Sequence, residues 1–134
     1  MRRLLSVVVS VYNEEEALAQ FYQVTEGILN TISWDYELVF VNDGSRDQSL
    51  SILNHLADSN PKVKVVSFSR NFGHEAAMIA GIDYSQGDGI ICMDADLQHP
   101  PACIPEIIRR FEDGYEVINM VRTKNESAGW FKNM

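Results

Sequence analysis

Four short apolar runs, Leu4 to Val11, Tyr36 to Val41, Val63 to Phe68 and Ile90 to Met93, are separated by stretches with helical periodicity. That alternation constrains the fold more than any other feature, because strands joined by crossovers of ten or more residues pair in parallel. A parallel sheet is covered on both faces, and the valine-rich first run, apolar at odd and even positions alike, reads as a central strand. The expected fold is α/β: a doubly wound, mostly parallel, Rossmann-like sheet with helices on both faces. Tyr115 to Val121 makes a fifth strand.

The connecting segments are read as helices from spacing and caps. From Glu14 to Ile32, apolar positions recur at three and four, behind an acidic first turn suited to the helix dipole. Ser45 and Gln48 form a capping box for a second helix running to Ala57, with Leu50, Leu53, Leu56 and Ala57 on its inner face. The alanine-rich segment Glu75 to Tyr84 has side chains small enough to lie close against a sheet. Ile104, Ile107, Ile108 and Phe111 share one helical face, with Pro101 near the start and Gly114 past the end. No element is expected between Arg122 and Met134.

The 134 residues suffice for one domain with a real core. A net charge of -8 argues against a nucleic-acid partner, since no stripe of lysine and arginine is present to replace phosphate counterions. Cys92 and Cys103 lack metal-type spacing and read as free thiols of a reducing compartment, so a cytoplasmic location is expected. Met1-Arg2-Arg3 before an apolar run imitates a secretory signal, but Asn13-Glu14-Glu15-Glu16 follows at once without a small-residue cleavage site. No apolar run approaches the roughly 20 residues that cross a bilayer.

In a parallel sheet all strand exits share one edge, and there this sequence collects its polar residues: Tyr12-Asn13-Glu14, Asn42-Asp43-Gly44-Ser45, Arg70-Asn71, and Asp94-Ala95-Asp96 with Gln98. An Asp-x-Asp taken alone reads more readily as a strand end followed by a turn than as a metal site. Three further polar exits, with acids expected to be unpaired, favour a binding edge. Carboxylates at i and i+2 can bring hard oxygen donors to a divalent ion that carries phosphates. Asp43 can accept the ring N-H of uracil or guanine, and Tyr12 offers an aromatic surface for the base. Neither common glycine-rich phosphate loop is present, which disfavours an ATPase or a dinucleotide enzyme.

Val9-Ser10-Val11-Tyr12-Asn13-Glu14-Glu15, Val41-Asn42-Asp43-Gly44-Ser45-Arg46-Asp47, Ser69-Arg70-Asn71-Phe72-Gly73-His74-Glu75-Ala76-Ala77 and Asp94-Ala95-Asp96-Leu97-Gln98-His99-Pro100-Pro101, in that order, resemble the family 2 inverting glycosyltransferases, most nearly the polyprenyl-phosphate sugar synthases. The resemblance implies the nucleotide-sugar-binding half of an A-type glycosyltransferase. It implies a donor of the UDP-glucose or GDP-mannose type held by Tyr12, Glu14, Asp43, Arg70 and Asp94, and a Mg2+ or Mn2+ ion on Asp96 and Gln98. The catalytic candidates are Asp94, Asp96 of the DXD motif, and Arg122, which would face phosphate. The implied acceptor is a polyprenyl phosphate, with a carbohydrate acceptor of cell-surface polysaccharide synthesis as the alternative.

Ser10 stands where relatives usually have proline, and Asn125 where they often have a second arginine after Arg122. Residues 1–122 are expected to be the nucleotide-sugar-binding part and 123–134 the start of an acceptor-side region. That region's continuation would bring the protein to the cytoplasmic face of a membrane for cell-envelope biogenesis. A non-enzymatic receiver domain has similar length and β/α order, but needs paired acids, an aspartate and a lysine after its first, third and fifth strands. Those exits here carry Asn13-Glu14, Ser69-Arg70 and Arg122.

Overall fold

The computed structural model describes residues 3–95, 101–113, 117–120 and 130–133, the last two stretches as backbone. In chain order the elements are β1 (Leu4–Val11), α1 (Leu18–Leu29), β2 (Asp35–Asn42), α2 (Ser49–Ser59), β3 (Val63–Ser67), α3 (His74–Tyr84) and β4 (Gly89–Asp94). A 3-10 turn at Pro101–Cys103 leads into α4 (Ile104–Glu112), followed by β5 (Val117–Met120) and β6 (Trp130–Asn133).

One sheet carries the order β3-β2-β1-β4-β5-β6. β1 lies between β2 and β4 and pairs with both in parallel; β3 and β5 continue the parallel set, and β6 joins β5 antiparallel. Because consecutive side chains of a strand point to opposite faces, β1 feeds two cores. Leu5, Val7, Val9 and Val11 meet Phe21 of α1, Leu53 of α2 and the Ile104, Ile107, Ile108 and Phe111 face of α4. Val8, with Val39, Val41 and Cys92, meets Ala77 of α3 on the other face. The expected α/β architecture, with helices on both faces, is what the chain forms.

α3 approaches the sheet closely because Gly81 has no side chain. A Cβ there would stand 2.3 Å from Cγ1 of Val8 and 3.0 Å from Cγ2 of Val41. Two of the polar residues buried among the apolar strands pair with each other: the Ser6 hydroxyl donates to Oε2 of Glu37 at 2.6 Å. Gln86 N-H donates to the same carboxylate oxygen at 2.7 Å, and Gly87 N-H to Ser6 Oγ at 2.9 Å. This buried network ties down the α3 to β4 connection at the end of the sheet opposite the polar exits.

Several sequence-based expectations are corrected. α1 starts at Leu18, not Glu14, so the three glutamates lie in the preceding turn, where the Glu14 carbonyl accepts the N-H of Ala17 and Leu18. The capping box does not form: α2 starts at Ser49, and Ser45 Oγ instead accepts the N-H of Asn13 at 2.9 Å. Ile52 packs with Leu53, Leu56 and Ala57, whereas Leu50 is half-buried outside that cluster. A strand, β6, occupies Trp130–Asn133, where no element was expected.

Candidate donor-binding edge

Register brings the exits level. Ser10 of β1 is paired with Asp94 of β4, Val11 with Asn42 of β2, and Asn42 with Ser67 of β3. Tyr12 and Asp43 each follow their strand by one residue, and Asp94 ends its own. Of the residues expected at the site, Tyr12, Glu14, Asp43, Arg70 and Asp94 are therefore gathered on one edge of four adjacent parallel strands. Asp96, Gln98 and Arg122 lie outside the described residues.

The exits of β1 and β2 are stitched to each other. Asn13, in the left-handed region at φ 53°, donates its N-H to Ser45 Oγ and accepts the Arg46 N-H on Oδ1 at 2.8 Å. Glu14 N-H donates to Ser49 Oγ at 2.9 Å; Glu15 N-H donates to Asp47 Oδ2 at 3.1 Å, and Gln48 N-H returns a bond to Glu15 Oε1 at 2.8 Å. Desolvation works against the charge on Asp47, but hydrogen bonds from Ser49 and Glu15 prevail and hold its carboxyl below the usual range. Tyr12 emerges from this stitched turn 44% exposed.

Asp43 is organised differently, with only 2% of its surface accessible. Oδ1 accepts the Phe72 N-H at 2.7 Å, while Oδ2 accepts Asn71 Nδ2 at 3.0 Å and Gly73 N-H at 3.1 Å. Gly44, at φ 71°, makes room for this loop: a Cβ there would lie 2.2 Å from the carbonyl carbon of Arg70. Arg70 spreads its guanidinium over the exposed Phe72 ring, 4.0 Å from the centroid, and Phe72 stands edge-on to Phe68 at 5.4 Å. The edge thus presents a cation on an aromatic ring after β3 and a second exposed aromatic, Tyr12, after β1.

Asp94 is held by His74, whose Nε2 lies 2.8 Å from Oδ1. The expectation that acids at these exits are unpaired is overturned for Asp43 and Asp94, which both have partners within the edge. Asn71 and His74 were not expected to be those partners, and only their location in an exit pointed toward them. Cys92, two residues before Asp94, is a core thiol whose burial pushes its pKa from 9.0 to about 11. Among the described residues no group of three His, Cys, Asp or Glu side chains is placed to hold a metal ion, and no helix is long and apolar enough to cross a membrane.

The parallel α/β sheet with its helices on both faces has the fold of the A-type glycosyltransferases. The mannosyltransferase PcManGT of Pyrobaculum calidifontis, solved with GDP-Man and Mn2+, is similar to it with a TM-score of 0.73 over 86% of this chain and 34% of that one, at 19% identity. The family model of glycosyl transferase family 2 matches residues 6–134, and the chain belongs to that family. It is 48% identical over 127 residues to the uncharacterized glycosyltransferase YkcC of Bacillus subtilis (strain 168), covering 95% of this chain and 39% of the relative. It is 42% identical over 135 residues to the prophage bactoprenol glucosyl transferase homolog of Escherichia coli (strain K12), covering 95% of this chain and 44% of the relative. The chain thus spans less than half the length of the curated relatives it matches, and family membership sets the receiver-domain reading aside.

Proposed function

We propose that this edge binds a nucleotide-diphosphate sugar, of the UDP- or GDP-sugar type, and that the whole protein transfers the sugar to a polyprenyl phosphate with inversion. The observation that carries the reading is the convergence of Tyr12, Glu14, Asp43, Arg70 and Asp94 on one sheet edge. Tyr12 offers an aromatic face to the base, and Arg70, already aligned over Phe72, offers a cation to the diphosphate. Asp43 contributes by fixing the loop that carries Arg70 and Phe72, with most of its own hydrogen-bonding capacity engaged there. Asp94 faces the ribose and diphosphate.

Asp96 and Gln98 would hold Mg2+ or Mn2+, since a carboxylate and an amide oxygen directly after a strand end are the hard donors such ions take. When bound, the ion supplies charge neutralisation that makes the nucleoside diphosphate a better leaving group. An acceptor that is already a phosphate anion needs no strong general base: its oxygen forms the bond to the anomeric carbon as the bond to the donor phosphate breaks. Arg122 would face a phosphate group. The similarity to a protein named for bactoprenol glucosyl transfer favours the lipid-phosphate acceptor over a carbohydrate one, and with it a place at the cytoplasmic face of a membrane. Transfer of radiolabelled sugar to polyprenyl phosphate by the whole protein tests the reading. Incorporation into an oligosaccharide, with none into lipid, would replace the acceptor.

A further inference from the structure

The start of α3 is fastened between two strand-end carboxylates. On one side Asp43, after β2, accepts the N-H groups of Phe72 and Gly73, the last two residues before the helix. On the other side His74, the first helical residue, reaches Asp94 at the end of β4. β1 lies between β2 and β4, so the first turn of α3 bridges the exit from which Tyr12 emerges.

The two fastenings differ in kind. Asp43 is buried and holds backbone, which is what keeping a loop folded requires. The His74 side chain is 58% exposed and that of Asp94 17%, and a pair this open to water contributes little to folding. Orientation is another matter, because a carboxylate restricted to one rotamer meets a ligand without first losing that freedom. Resting on the donor-binding reading of this edge, we propose that His74 is a positioning residue: by donating to Oδ1 of Asp94 through Nε2, it fixes the carboxylate in the orientation that receives the nucleotide sugar. The histidine touches no substrate in this account and acts through Asp94.

The test is steady-state kinetics and donor binding with the whole protein, comparing wild type, His74→Ala and His74→Gln, with melting temperatures measured alongside. The glutamine amide can donate from nearly the place of Nε2, whereas alanine cannot. The expected result is a rise of about ten-fold in donor KM and Kd for His74→Ala, corresponding to about 1.4 kcal/mol, with kcat changed much less and melting unchanged. His74→Gln should recover most of the loss, and His74→Ala should add nothing to the effect of Asp94→Asn. Wild-type donor affinity in His74→Ala would overturn the proposal, as would equal losses in the alanine and glutamine variants or a fall in melting temperature large enough to explain them. A wild-type protein that binds neither UDP- nor GDP-sugars overturns the donor reading itself, and this inference with it.

Discussion

Asp43 accepts the backbone N-H of Phe72 at 2.7 Å, and through that contact the end of β2 sets where α3 begins. The same carboxylate takes bonds from Asn71 and Gly73, while Gly44 beside it lets the Arg70 peptide come close. An aspartate read in the sequence as a base contact is in the structure the anchor of the loop that presents Arg70 and Phe72.

Asp43→Ala would leave the N-H groups of Phe72 and Gly73 without their carboxylate acceptor in a part-buried loop, while the Asn71 amide keeps its bond to the Asp43 carbonyl oxygen at 3.2 Å. Unsatisfied buried donors cost about 1 to 3 kcal/mol each, and partial relaxation toward solvent reduces their sum. We expect a loss of about 2 kcal/mol in urea unfolding, with Asp43→Asn losing less because one acceptor oxygen remains. Wild-type stability in Asp43→Ala would mean that the Arg70 loop is held by something else.

Gly81→Ala sets two effects against each other. Alanine inside a helix is favoured over glycine by about 1 kcal/mol. The new Cβ, however, would stand 2.3 Å from Cγ1 of Val8, on a stiff β-branched side chain in a central strand. Overpacking of this kind costs about 1 to 3 kcal/mol, so thermal melting should fall despite the better helix former. A rise would show that α3 can lift off the sheet without penalty.

Cys92 should be nearly inert. With burial pushing its pKa to about 11, only about one thiol in a thousand is ionised at pH 8. Its folded pKa is raised above the unfolded value of 9.0, so its contribution to stability is complete below pH 9 and is lost between about pH 9 and 11. Labelling by a thiol reagent at pH 8 should therefore modify Cys92 only on unfolding. Rapid modification in native buffer would contradict the burial.

The sheet was legible in the sequence because its signal is local: each parallel strand is a continuous apolar run, and each crossover is long enough for a helix. β6 was not, since Trp130–Asn133 is short and becomes a strand only by pairing with β5. The first turn of α1 and the start of α2 were misplaced for a related reason. Asn13 and Glu15 exchange hydrogen bonds with Ser45, Arg46, Asp47 and Gln48 across more than 30 positions of chain, and a capping pattern read along one segment cannot register such a partner.

The candidate edge was legible as a set of strand exits, since topology alone brings Tyr12, Asp43, Arg70 and Asp94 together. The partners of its acids were not, because a motif names residues without saying which way they turn. His74 was given no role at the site by its sequence, and only the level ends of β1, β2 and β4 place it against Asp94.

The claim that the edge holds a nucleotide sugar is tested most directly by isothermal titration calorimetry of the whole protein with UDP- and GDP-sugars in the presence of Mn2+. The account predicts saturable binding of one of the two donors, weakened at least ten-fold by chelating the metal or by Asp96→Ala. No heat from either donor, or binding that survives both chelation and Asp96→Ala undiminished, would contradict it.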